Sequence, residues 1–178
     1  MADVLIRAFR ESDLTWAVPL LDQEFGGRLQ ARRGELHDVL ALPGLVATID
    51  DEPAGLLTYR QEASECELAL LWARRRHHGI GTALVQALQA QMEAAGCSRI
   101  WAVTTNDNLD ALRFYQRRGF VLCALRAGAV DDSRRRLKPQ ISLLGGYGIP
   151  LRDELELESV VTRTPPAAGS AADLPLTH

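Results

Sequence analysis

The residues of greatest chemical interest lie between a strand-like and a helix-like segment. Leu68 to Trp72 is apolar enough for a central strand. The segment Arg76-His77-His78-Gly79-Ile80-Gly81 follows, and a helical pattern starts at Thr82. Glycines at 79 and 81 let backbone N–H groups turn inward with no Cβ in the way, and the positive end of the helix points at the same spot. A loop of this kind can cradle a phosphate, and Arg76 adds a fixed cation beside it. Two other phosphate loops are excluded. Gly81-Thr82-Ala83 lacks the lysine of a P-loop, and Leu84 stands where a dinucleotide-binding loop needs its third glycine.

The elements that would position this loop follow from periodicity and punctuation. Val4 to Phe9 reads as a strand. Ser12-Asp13 starts a helix through Trp16, Leu20 and Leu21, which Pro19 should kink or shorten. Glu35 to Leu42 reads as a possible helix lying over one end of the sheet. Leu45–Ile49 and Ala54–Gln61 form a hairpin around Asp50-Asp51-Glu52-Pro53. Past the loop, Leu84, Leu88, Met92 and Ala95 recur at helical spacing, and Gly96 stops the helix. Arg99–Val103 is a strand. Asn108 caps a helix over Leu109–Arg118 that Gly119 closes, and Phe120–Leu125 is a strand. Asp131–Lys138 is a basic helix or loop. Leu151–Val161 alternates Leu155 and Leu157 with Glu154, Glu156 and Glu158, as a half-solvated strand does. These glutamates read as the exposed face of an edge strand, a face that could also draw a cationic partner such as a polyamine or a protein lysine. Residues 162–178 lose core-forming side chains, so the domain is expected over 1–161 with a disordered tail after it.

Composition bounds the function. With 178 residues and 47% hydrophobic content, the chain can bury one sizeable core. A net charge of −3 argues against a dedicated nucleic-acid binder, so Arg74–Arg76 and Arg134–Arg136 read as solvated faces or, for the first run, as phosphate contacts. Cys66, Cys97 and Cys123 form no Cys-x-x-Cys pair, which fits a reducing cytoplasm, and Cys66 and Cys123 are expected to be small buried hydrophobes. His77-His78 lacks partners at metal-binding spacing, so no metal is expected. No apolar run has the length of a membrane span.

At this point the residues resemble a known family. Arg76-x-x-Gly79-x-Gly81 resembles the Arg/Gln-x-x-Gly-x-Gly/Ala signature of the GNAT superfamily of acyl-CoA N-acyltransferases. Asn108-x-x-Ala111-x-x-Phe114-Tyr115-x-x-x-Gly119-Phe120 resembles its later motif at the expected distance. Cys66-Glu67, Thr104-Thr105-Asn106-Asp107-Asn108 and Gly148-Ile149-Pro150-Leu151-Arg152-Asp153-Glu154-Leu155-Glu156 are similar to a bacterial group of that superfamily with mostly undefined acceptors. The likeness spans roughly residues 4 to 160. One departure is His77, which stands where a glycine is common.

The resemblance implies an α/β fold with a mixed, mostly antiparallel central sheet flanked by helices. It implies acetyl-CoA as co-substrate and transfer of its acetyl group to a primary amine by direct attack in a ternary complex. The CoA pyrophosphate would sit on Arg76, His77, His78, Gly79, Ile80, Gly81 and Thr82. The pantetheine arm would pair with the end of the strand at Leu70, Leu71, Trp72 and Ala73, in a gap facing Ile100–Val103, with Asn108 and Phe114 beside it. A backbone N–H near Leu71 would hold the oxyanion. Glu67, preferred over Glu65 two residues away on the same face, is the expected base. Tyr115 is the expected proton donor to the leaving thiolate. The alternative is a module that binds acyl-CoA without turnover. No nucleic acid or membrane partner is implied, and a homodimer through the last strand stays open.

Overall fold

The computed structural model describes residues 4–74 and 79–161. The chain runs β1 (Leu5–Ala8), α1 (Leu14–Phe25), β2 (Leu29–Arg32), β3 (Glu35–Asp38), β4 (Gly44–Ile49), β5 (Glu52–Glu62), β6 (Glu65–Ala73), α2 (Ile80–Ala94), β7 (Arg99–Thr105), α3 (Leu109–Gln116), β8 (Val121–Arg126), α4 (Ala129–Arg136) and β9 (Glu154–Val160). Seven strands form one sheet in the order β1-β4-β5-β6-β7-β9-β8, and β2-β3 form a separate ribbon. Among the described residues β6 and β7 are the one pair of neighbouring strands that runs parallel, and the crossover helix α2 joins them. The sheet is therefore mixed and mostly antiparallel, as expected.

Each face of the sheet carries its own core. On one, Leu84, Leu88 and Met92 of α2 pack with Leu57, Cys66, Leu68, Ile100 and Leu157. Ala95, expected on the same helix face, is instead the exposed C-cap residue. On the other face, Ala17 and Leu21 of α1 meet Val46, Leu56, Ala69 and Leu70. Helix α1 continues through Pro19 for 12 residues, so the proline sacrifices a single helical donor without ending the helix.

Three expectations are corrected. Residues 35–42 are not helical. Arg32 pairs with Glu35 across a two-residue turn at Arg33 and Gly34, both at positive φ (50° and 80°), which is the geometry that twists a tight hairpin correctly. The last strand, β9, is not an edge: it lies between β7 and β8, and the edge falls to β8. Cys66 and Cys97 are buried, whereas Cys123, on that edge, is exposed.

Candidate active site

Strands β6 and β7 are paired only through Glu65↔Arg99, Cys66↔Ile100 and Glu67↔Trp101. Beyond that point β6 stays with β5 as far as Gly55↔Ala73, while β7 stays with β9 as far as Thr105↔Glu154. The two strands part, and among the described residues nothing pairs with Leu68–Ala73 on the β7 side. A local cause is visible in the register. Tyr59 pairs with Leu68 and Thr58 with Leu70, so Ala69 is an extra residue, and such a bulge bends the strand that carries it.

A cavity of about 550 Å³ opens from this splay. Leu70, Leu71, Asn108 and Tyr115 line it. Trp72 and Ala73 do not: Trp72 packs toward the α1 side and Ala73 toward the α2 side. At the start of α2, Gly79 takes the left-handed conformation at φ 80° and Ile80 is buried in the core, leaving its backbone as the part that can face a ligand. A Cβ on Gly81 would lie 3.1 Å from the Phe114 ring, so this glycine permits the contact between α2 and α3. Arg118 tightens the junction: its guanidinium lies 3.6 Å from the centre of the Phe114 ring and its Nε donates to Thr82 Oγ1 at 3.0 Å. Arg76, His77 and His78 fall outside the described residues.

Tyr115 is held by Phe114 edge-on at 5.4 Å and by Phe120 at 5.2 Å, and burial pushes its phenol well above the ordinary range. Asn108 caps α3, its Oδ1 accepting from the Ala111 N–H at 3.1 Å. Its neighbours tether the far wall of the cavity. Asp107 Oδ2 accepts from the Gly146 N–H at 2.7 Å, and Asn106 Oδ1 accepts from the N–H groups of Arg152 and Asp153 at 3.1 and 3.0 Å. Arg134, expected on a solvated face, instead donates to the carbonyls of Ile141, Ser142 and Leu151 and so binds α4 to the same wall.

The two carboxylates on β6 differ. Glu65 is exposed and pairs with Arg99 at 2.9 Å. Glu67 is buried against Arg32 at 2.9 Å, with Arg60 at 3.9 Å, and does not line the cavity. The glutamates of β9 also depart from expectation. Glu154 and Glu156 are only 2% and 5% exposed, because β9 is an interior strand and the β2-β3 ribbon lies over this face. Burial opposes ionisation of Glu156, but Arg126 and Arg99 hold its carboxyl below the ordinary value. Glu154 is different. Among the described residues its carboxylate accepts only from the Arg33 backbone N–H, at 3.1 and 3.2 Å, and burial holds its carboxyl above the ordinary value despite that bond and the more distant Arg126, Arg32 and Arg33 charges. Glu154 lines the cavity at the mouth of the splay. From the sequence, Glu154 is only one of three strand glutamates that could draw a cation, and nothing there points to Arg32 or Lys138. The one available signal was the strict alternation of β9, which fixes a shared face without saying what covers it.

The fold and the splayed site define an acyl-CoA acyltransferase architecture, and the sequence agrees: residues 6–120 match the acetyltransferase (GNAT) family, and the chain belongs to it. Two uncharacterized proteins of Bacillus subtilis (strain 168) are similar. YdhI is 40% identical over 110 residues, 62% of this chain and 68% of its own length, and YxbD is 42% identical over 108 residues, 61% and 67%. Among solved structures, the IAA acetyltransferase from Bacillus cereus ATCC 14579 superposes with a TM-score of 0.68 at 17% identity, covering 89% of this chain and 99% of that one. A GNAT family acetyltransferase from Elizabethkingia anophelis with acetyl-CoA bound superposes at 0.66 and 16% identity, covering 90% and 99%.

Proposed function

We propose that this chain transfers the acetyl group of acetyl-CoA to a primary amine by direct attack while both substrates are bound. The observation that carries this reading is the unpaired edge of β6 facing a cavity that Tyr115 and Glu154 also line. An extended pantetheine arm can add to Leu70–Ala73 as a strand would, with its pyrophosphate on the Arg76–Thr82 loop and the N-terminus of α2. The Leu71 N–H then stabilises the oxyanion that develops on the thioester carbonyl.

An ammonium must lose a proton before its nitrogen can attack. Glu67, the expected base, is already engaged by two guanidinium groups and sits behind the cavity wall. Glu154 faces the cavity, has no side-chain partner among the described residues, and is biased toward holding a proton. We therefore assign the base to Glu154, and to Glu67 the task of fixing Arg32 and the β2-β3 ribbon. Glu154 takes the first ammonium proton and passes it to water. The amine nitrogen bonds to the acetyl carbon, the C–S bond breaks, and the sulfur takes a proton from Tyr115, which recovers one from the nitrogen as the amide forms. We also propose a cytoplasmic location.

Calorimetric titration with acetyl-CoA, paired with thiol release over an amine panel, tests this reading. Binding with release supports it. Binding without release from any amine favours a module that holds acyl-CoA without turnover, and no binding overturns the reading.

A further inference from the structure

Resting on the acyltransferase reading, the cavity also constrains the acceptor. Four charged side chains line it: Glu24, Arg32, Lys138 and Glu154. Glu24 is exposed at the rim, and Arg32 is spent on Glu67. The remaining two are opposite in sign and both deeply buried, Lys138 at 7% and Glu154 at 2% exposed. Neither forms a side-chain ion pair among the described residues, although the Arg126, Arg32 and Arg33 charges act on Glu154 from farther off. Lys138 Nζ donates to the Leu29 carbonyl at 2.8 Å, and Glu154 accepts only from the Arg33 backbone. Ser133, on α4 five residues before Lys138, adds a buried hydroxyl that has no hydrogen-bond partner among the described residues and also lines the cavity. Lys138 and Glu154 are each answered by a single backbone group, and the Ser133 hydroxyl by none among the described residues. Burial so thinly compensated is costly, so the cavity is shaped for something that satisfies these groups.

We propose that the acceptor is a small amino acid or amino carboxylate, its ammonium on Glu154 and its carboxylate on Lys138 and Ser133. A plain monoamine satisfies Glu154 and leaves Lys138 and Ser133 unpaired. A polyamine brings a second cation toward a buried ammonium. A zwitterion answers both charges, and Thr105↔Glu154 pairing puts its nitrogen at the mouth of the splay, at the level of Leu70 and Leu71 on the facing strand. The transfer is the one already described: the N–C bond forms, the C–S bond breaks, one of the three ammonium protons leaves through Glu154 to water, a second passes to sulfur by exchange through Tyr115, and the third stays on the amide nitrogen.

The test uses the full chain with acetyl-CoA and compares free amino acids of α, β and γ spacing with their carboxamides and decarboxylated amines, read by thiol release and by mass of the product. The wild-type protein should favour at least one amino acid over its carboxamide by about tenfold or more in kcat/KM, the size expected for a charge-assisted contact. Lys138→Gln, which keeps a donor for the Leu29 carbonyl, should shrink that preference chiefly through KM, with the acetyl-CoA Kd unchanged. The comparison within wild type needs no variant to fold. Release from carboxylate-free amines equal to or better than from every amino acid overturns the zwitterion assignment and leaves the acyltransferase reading standing. A fall in acetyl-CoA affinity on Lys138→Gln also overturns it, since Lys138 would then serve the donor. No release from any amine overturns both.

Discussion

The two walls of the splay are built differently. The proposed donor wall is β6, the start of α2 and the start of α3, consecutive in the chain but for β7 between the two helices. The acceptor wall joins parts far apart in the chain: Lys138 reaches the Leu29 carbonyl across 109 residues, and Glu154 meets the Arg33 N–H across 121. The donor wall offers backbone and a helix terminus, groups every sequence possesses and glycine exposes. The acceptor wall offers particular charges, each buried by another segment. A reaction whose donor is fixed and whose acceptor varies can keep the first wall and rebuild the second.

Substitutions separate the two walls. The largest expected effect is at Glu154. Glu154→Gln should lower kcat/KM by about a thousandfold, within the range of general base catalysis, and leave acetyl-CoA affinity unchanged by calorimetry. A Gln variant that keeps full activity would return the base to another group. Glu67→Gln should act on stability, because it strands the buried Arg32 guanidinium; a loss of about 3 kcal/mol by urea unfolding is expected. If Glu67→Gln abolished turnover in a fully stable protein, the division between the two carboxylates would collapse.

Tyr115→Phe should cost about a hundredfold in kcat with little change in the acetyl-CoA Kd. The pH profile sharpens the same point. Glu154 must be ionised to act as a base, and its carboxyl is raised by burial, so the acid limb of kcat/KM should fall at a pH above that of an ordinary carboxylate. Tyr115 must keep its proton, and its phenol is raised too, so its ionisation should not curtail activity in the ordinary alkaline range.

The smallest effect lies away from both walls. The Arg7 guanidinium, at 2.7 Å, outweighs burial and, with the Arg10 N–H and Trp16 indole, holds the Asp13 carboxyl down at about 2. A carboxyl lowered on folding stabilises the fold above its unfolded pKa and loses that contribution as pH falls from about 4 to about 2. Asp13→Asn should therefore cost about 2 kcal/mol at neutral pH and flatten the acid end of the stability curve, with no change in KM.

How much was legible follows the same divide. Asn108 is readable as a cap because the capping bond spans three residues, and the start of α2 is readable because Gly79 sets its own backbone, whereas the contact of Gly81 with Phe114 is tertiary. Glu35–Leu42 reads as helix by its sequence, yet Glu35–Asp38 is the second strand of the β2-β3 ribbon. Its turn depends on Arg33 at positive φ, a conformation held by the Arg33 N–H bond to Glu154 at the other end of the chain. The glutamates of β9 were misread as exposed because alternation gives a shared face but not a neighbour. Only the insertion of β9 between β7 and β8, under the ribbon, made them interior.

Local pattern alone marked the strand before the glycine-bearing loop and the helix after it, the capped helix carrying Tyr115, and the family to which they belong. These are local patterns, set by interactions within a turn or two of chain. The tertiary structure alone decided which carboxylate faces the cavity, that Arg32 is consumed by Glu67, and that Lys138 and Glu154 confront one space with opposite charge. The physical reason is that burial and pairing are properties of what lies opposite a side chain, and the segments lying opposite here come from the far ends of the molecule.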